Sequence, residues 1–129
     1  TLKVDQIQNT SDAHSSTPQQ IAQGRAKAWV EFEGIGSHSI LGSYNVSSVS
    51  NPSNGNYTVN FSTSFANTNY AALATSGADL DTYDDGLDGA DNVAIVCNKA
   101  VGNVKVACAD TDNGDADDNH RVSVVIFAS

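Results

Sequence analysis

Carboxylates are the chemistry this sequence has most of. Fifteen Asp and Glu face six Lys and Arg over 129 residues, for a formal net charge of −9. Six Asp lie between positions 79 and 91 (Asp79, Asp81, Asp84, Asp85, Asp88, Asp91), and five between 110 and 118 (Asp110, Asp112, Asp115, Asp117, Asp118). Carboxylates this close repel one another unless solvent, salt or a cation screens them. A hard cation such as calcium takes several oxygen ligands from carboxylates and loop carbonyls. "DTYDDGLDGADN" has Asp81, Asp85 and Gly86 at the first, fifth and sixth places of a calcium loop. Tyr83 stands where the third ligand belongs, however, and Asn92 where the bidentate Glu belongs. "DTDNGDADDN" has its glycine one place early, so neither run is an EF-hand. Two readings stay open. One is a pair of solvated acidic loops; the other is a cation site with calcium as cofactor and Asp81, Asp85, Asp110 and Asp112 as ligands.

Other chemistry is sparse. His14, His38 and His120 have no second His or Cys at ligand spacing, which argues against a zinc site within one chain. A threefold assembly would be needed to bring three copies of one histidine, His38 being the best candidate, onto a shared metal. There is no nucleophile elbow, phosphate loop or HExxH. Paired acids can hydrolyse a glycosidic bond, but such a pair needs contrasting environments, and these runs are hydrophilic throughout. The expectation is therefore no catalysis and no catalytic residue. Net negative charge opposes nucleic-acid binding through phosphates and contact with anionic membranes. No apolar run is long enough for membrane insertion, and no secretory signal is visible.

The acidic runs need elements to hold them, and from Gly24 onward the apolar period is two. "YTVNFSTSF" alternates most cleanly, with Tyr57, Val59, Phe61 and Phe65 on one side and Thr58, Asn60, Ser62 and Ser64 on the other. "SYNVSSVS" alternates until Ser47–Ser48, where a β-bulge would restore the face. "NPSNGN" connects these two strands as a hairpin. "NYAALATS" is another strand. "HRVSVVIFAS" carries apolar residues on both faces, which predicts a central strand covered twice.

"AIVCNKAVGNVKVACA" reads as a further hairpin. Reflection about Gly102–Asn103 sets Val101 opposite Val104, Lys99 opposite Val106 and Cys97 opposite Cys108. That pair would have Cα atoms about 5.5 Å apart. A disulfide is then geometrically possible, and two small buried thiols are the alternative. The acidic runs flank this hairpin and should leave it at the same end.

Residues 1–24 lack a core-forming pattern and read as an extended connecting arm with one helical turn around Gln19 to Gln23. The chain thus divides into an N-terminal arm, 1–24, and one all-β domain, 25–129. Seven or so short strands with turns between them indicate an antiparallel β-sandwich, jelly-roll-like.

"GRAKAWVEFEG…YNVSSVSNPSNGNYTVNFSTSFANTNYA" resembles a module common in phage tail fibres, especially of marine and cyanobacterial phages. That family shows an "AKAWVNFNG" strand, then "NVSSI", a glycine-containing turn, "YTVNF" and an "NY" strand. It closes on a Val-rich strand ending in Phe, as "VSVVIF" does here. The arm "LKVDQIQNTS" is similar to segments that precede the module. The resemblance covers residues 25–75 and the last ten, while 77–119 follow their own acidic pattern. It implies a homotrimeric tail-fibre tip or related virion appendage that attaches to a host surface without chemistry. The implied partners are two further copies, other virion proteins through residues 1–24, and a host surface glycan or outer-membrane receptor. Receptor specificity would then reside in the acidic loops, at Asp81, Tyr83, Asp84, Asp85, Asp88, Asp112, Asp115, Asp117 and Asp118.

The single tryptophan, Trp29, lies on the charged face of its strand, beside Lys27 and Glu31. Self-association would explain it; the alternative is that the ring lies flat on the stems of Lys27 and Glu31, or under the N-terminal arm. In an assembly about an axis, a strand can bury one face in its own sandwich and the other against a neighbour. Trp29, Lys27 and Glu31 are therefore the candidate subunit-interface residues. Within virions the alternatives are a head fibre, a decoration protein or a tail adaptor. From another class, the alternative is a calcium-dependent carbohydrate-binding adhesin of non-viral origin.

Overall fold

Alternation of apolar and polar side chains along short strands builds two stacked sheets. The computed structural model describes residues 1, 3–8, 15–77, 92–110 and 114–129. The expected all-β sandwich is what forms. Eight strands make it: β3 (Ala28–Glu33), β4 (Ile40–Tyr44), β5 (Val46–Ser53), β6 (Asn56–Phe61), β7 (Ala71–Gly77), β8 (Asn92–Lys99), β9 (Asn103–Asp110) and β10 (Arg121–Phe127). One sheet has the order β4-β3-β10-β7 and the other β5-β6-β9-β8, with antiparallel neighbours throughout.

The inner faces carry every second residue. Ala28, Val30 and Phe32 from β3 and Val122, Val124 and Ile126 from β10 meet Tyr57, Val59 and Phe61 from β6 and Val104, Val106 and Cys108 from β9. Each large side chain removed from water in this way contributes about 1.5–3 kcal/mol. Edge-to-face aromatic contacts fix the packing at both ends, Phe32 on Tyr57 (ring centroids 5.1 Å apart) and Phe61 on Phe65 (4.8 Å).

The arm is built differently. It holds a two-residue strand pair, β1 (Ile7–Gln8) with β2 (Ser15–Ser16), and a seven-residue helix, α1 (Pro18–Gly24). The helix starts because Thr17 and Gln20 form a capping box and Pro18 is already set to a helical φ. No residue of α1 is buried.

Two expectations about local structure need correction. The first concerns "SYNVSSVS". The bulge is present between Val46 and Ser48, but the stretch is two strands, not one. The chain leaves the first sheet at Tyr44 and enters the second at Val46. Asn45 makes the corner with φ +54°, a left-handed conformation that Asn tolerates better than most residues. Its amide nitrogen donates to the Lys27 and Thr63 carbonyls, and its amide oxygen accepts from the Thr63 N–H at 2.8 Å.

The second concerns the cysteines. The turn of the β8–β9 hairpin centres on Val101–Gly102, one residue earlier than expected, with the Ala100 N–H donating to the Asn103 carbonyl. Lys99 therefore faces Val104, and a bulge between Val96 and Asn98 sets Cys108 opposite Ala94. Cys97 is exposed, Cys108 is buried and both thiols are free. Lys99 supplies a reason for the shift. Opposite Val106 it would sit in the middle of the core; opposite Val104 it lies at the rim. There its ammonium donates to the Tyr70 carbonyl at 2.9 Å and sits over the Tyr70 ring.

Candidate functional site

Strand direction sorts the candidate residues between the two ends of the sandwich. The arm joins at the start of β3, the end that also holds the Asn45 corner and the Val101–Gly102 turn. Among the strand ends at the opposite, distal end are Gly77 of β7, Asn92 of β8, Asp110 of β9 and Arg121 of β10. Both acidic runs are bracketed by these residues, so the expectation that they leave the hairpin at one end holds. Asp79, Asp81, Tyr83, Asp84, Asp85, Asp88, Asp91 and Asp112 lie outside the described residues.

At the distal end, residues 114–119 are fastened across the Asn54–Gly55 turn. Gly114 turns the chain with φ +73° while its N–H donates to the Asp110 carbonyl. The Asp110 N–H donates to the Asp115 carbonyl, the Asp117 N–H to the Cys108 carbonyl, and the Asn54 amide to the Ala116 carbonyl. Asp118 is the central fastening. One carboxylate oxygen accepts from the Gly55 N–H (2.6 Å) and the Asn51 amide (2.7 Å), and lies 2.9 Å from the Tyr57 hydroxyl. That hydroxyl is also 2.9 Å from the Gly34 carbonyl. Gly34 admits no side chain, since a Cβ there would overlap the Asn119 carbonyl. Gly55 is held left-handed, with its missing Cβ facing the Cys108 carbonyl and the Asp117 N–H.

The electrostatics follow from this geometry. Burial works to raise the Asp118 pKa, but the bonds from Gly55, Asn51 and Tyr57, with His38 nearby, hold it below the ordinary carboxylate value. Burial, then the Asp118 carboxylate, pushes the Tyr57 phenol well up. Burial pushes the Cys108 thiol up to about 11, so it stays neutral and behaves as a small apolar group. Asn119 is 2% exposed, with its amide turned toward Cys108. Neither its amide atoms nor the buried Nδ1 of His38 forms a well-shaped hydrogen bond among the described residues.

The candidate site residues thus separate by role. Asp115 and Asp117 are exposed, Asp110 is half-buried, and Asp118 is half-buried and hydrogen-bonded. Among the described residues no three of His, Cys, Asp and Glu come close enough to hold a metal ion. Sequence reasoning missed Asn51, Gly55, Tyr57 and Asn119 as parts of this end. The "NG" turn was a signal for Gly55; a buried Asn carries none.

Trp29 lies on the outer face of the β4-β3-β10-β7 sheet and is 43% exposed. Its ring packs over Gly42, where a Cβ would come within 3.2 Å of it. Register places Tyr44, Trp29, Val125 and Leu73 in one row across four strands. A groove of about 470 Å3 runs along this row, lined by Trp29, Leu73 and Val125 with Glu31, Ser123 and Thr75 in the next row. The prediction that β10 is central is met, but the described residues do not cover its outer face. Lys27 sits half-buried where β3 begins, and Glu31 is exposed beside Trp29.

No protein-family model matches this chain, and no curated protein matches it. A solved structure is similar in fold: the tailspike of phage phiAB6, in complex with three-repeated oligosaccharides of Acinetobacter baumannii surface polysaccharide. The likeness covers 95% of this chain and 23% of the tailspike chain, with a TM-score of 0.54 and 16% identity. This chain thus corresponds to under a quarter of the tailspike's length.

Proposed function

We propose that this chain is a virion attachment module: a homotrimeric tail-fibre or appendage tip that binds a host surface glycan or outer-membrane receptor through its acidic distal end. The observation that carries the reading is polarity. The arm joins one end of the sandwich, and both acidic runs are bracketed by strand ends at the other. A module built this way can be held from behind by other virion proteins through residues 1–24 while its acidic end faces outward. Shared fold with a phage tailspike crystallised with surface oligosaccharides supports the virion and glycan parts. The exposed Trp29 row supports self-association, because a wet apolar row of this kind marks an interaction surface. The module binds without catalysing. Calcium, held by Asp81, Asp85, Asp110 and Asp112, would cross-link the acidic runs and set their shape.

The test is binding of the purified chain to bacterial surface polysaccharides and outer-membrane extracts, with Asp115→Asn/Asp117→Asn as the comparison. Loss of binding with retained fold supports the reading; unchanged binding removes the distal end from it. Release of reducing sugar would make the module an enzyme. A melting temperature that rises with calcium and falls with chelator would establish the cation site. A calcium requirement for sugar binding, together with absence of the chain from purified virions, would favour the non-viral adhesin. Finding it on the particle but away from the tail tip would favour the head-fibre, decoration or adaptor role.

A further inference from the structure

Two apolar surfaces are left exposed among the described residues, and they match each other. The first is the arm. Its described residues bury nothing, and Val4, Ile7 and Ile21 are 41%, 55% and 45% exposed. A pair of two-residue strands and a seven-residue helix cannot hold themselves together in water, since isolated hairpins and helices this short are unstable. Yet the three side chains converge on one concavity of about 680 Å3, rimmed by Lys3, Asp5 and Arg25. The second surface is the outer face of the β4-β3-β10-β7 sheet, where the Tyr44–Trp29–Val125–Leu73 row projects.

We infer that residues 3–8 and 18–22 of one copy dock on the Trp29 face of a neighbouring copy. Charge and position support this occupant. Lys3 and Arg25, with Asp5 the one carboxylate among them, leave the arm's concavity net positive, opposite in sign to Glu31 and Glu33 beyond Trp29 on the outer face of β3. The apolar row also lies at the end of the sheet where the arm departs, because Trp29 is the second residue of β3. Exchange of arms between copies would bury both surfaces at once and give the arm the fold it cannot keep alone. This rests on the self-association proposed above and names what covers Trp29 within it.

The experiment uses the full chain with Cys97→Ser, which leaves only the buried Cys108. Ile21→Cys and Leu73→Cys are added, both at exposed positions, and the protein is oxidised and run without reductant. Covalent dimers and larger species that vanish with dithiothreitol are expected. A covalent species confined to monomers would mean that each arm folds back on its own sheet, and absence of any disulfide would mean that no arm reaches this face; either overturns the inference. A second measurement uses Ile7→Asp/Ile21→Asp without added cysteines. Emission of the lone tryptophan should shift to the red, and its quenching by acrylamide should rise at least twofold. Light scattering separates the two levels. Oligomers with a Trp29 indifferent to the arm leave self-association standing and remove arm exchange. A monomeric parent chain removes both.

Discussion

The two outer faces of the sandwich are made from the same kind of antiparallel strand and differ in what they present. On the β5-β6-β9-β8 sheet, Ser50, Thr58, Lys105 and Asn98 stand in one row, and Ser48, Asn60 and Asn103 in the next. The Asn60 amide there donates to the Ser48 hydroxyl. On the β4-β3-β10-β7 sheet the corresponding positions hold Tyr44, Trp29, Val125 and Leu73. The apolar side chains exposed on the first of these faces, Val93 and Ile95, stand on its edge strand β8, whereas Trp29 and Val125 stand on the two inner strands of the other. Alternation alone does not distinguish them, since both sheets bury every second residue. The outward set of side chains carries the difference, and the proposed self-association rests on it.

Substitutions can break or sharpen this contrast. The largest effect is expected within one strand. Ile126→Ala removes a fully buried side chain and should cost about 2–5 kcal/mol of stability by denaturant titration. Val125→Ala, on the outer face of the same strand, should leave monomer stability within about 1 kcal/mol while weakening assembly. Comparable losses for the two would mean that the outer face is packed within a single chain.

Next comes Trp29→Ala, expected to weaken self-association by about 2 kcal/mol or more, as truncation of a central aromatic anchor does. Far-ultraviolet circular dichroism should stay unchanged. Unfolding of the dilute monomer would place Trp29 among the core residues instead.

The distal end, where both sheets are tied together, gives a smaller effect that depends on pH. The folded state holds the Asp118 carboxyl below its ordinary pKa, so it favours the ionised form. Its contribution is present above the unfolded value of about 3.9 and is lost as pH falls through the lower folded value. Asp118→Asn should therefore cost about 1 kcal/mol near pH 7, its partial exposure limiting the figure. The variant should also lack that component of the acid-induced loss, and equal costs at pH 7 and pH 3 would rule out the charge as the cause. Smallest of all is Thr58→Ala on the solvated face, expected within about 0.5 kcal/mol and without effect on oligomer mass.

Much of the sandwich could be read from period alone. The inward sets of β3, β6 and β10 follow from alternation at Ala28–Phe32, Tyr57–Phe61 and Val122–Ile126, because a half-buried strand has only one way to place them. The bulge near Ser47 was legible for the same reason. Hairpin register was not. Reflection about Gly102–Asn103 erred by one residue because a turn can be centred at either of two adjacent places, and the rim position that Lys99 needs is known only once the core exists. The distal end shows the same limit. Its acidic composition is plain in the chain, but the hold on Asp118 by Asn51, Gly55 and Tyr57 joins residues 61–67 positions apart.

By itself, then, the amino-acid order determined an all-strand sandwich, most of its buried set and its acidic composition, since each rests on local pattern or composition. Tertiary structure decided which cysteine is buried, where Asn45 carries the chain between sheets, and that the indole lies half-exposed over Gly42 on the outer face of its sheet. Those outcomes depend on contacts between segments distant in sequence, where a shift of one residue exchanges the inside of a strand for its outside.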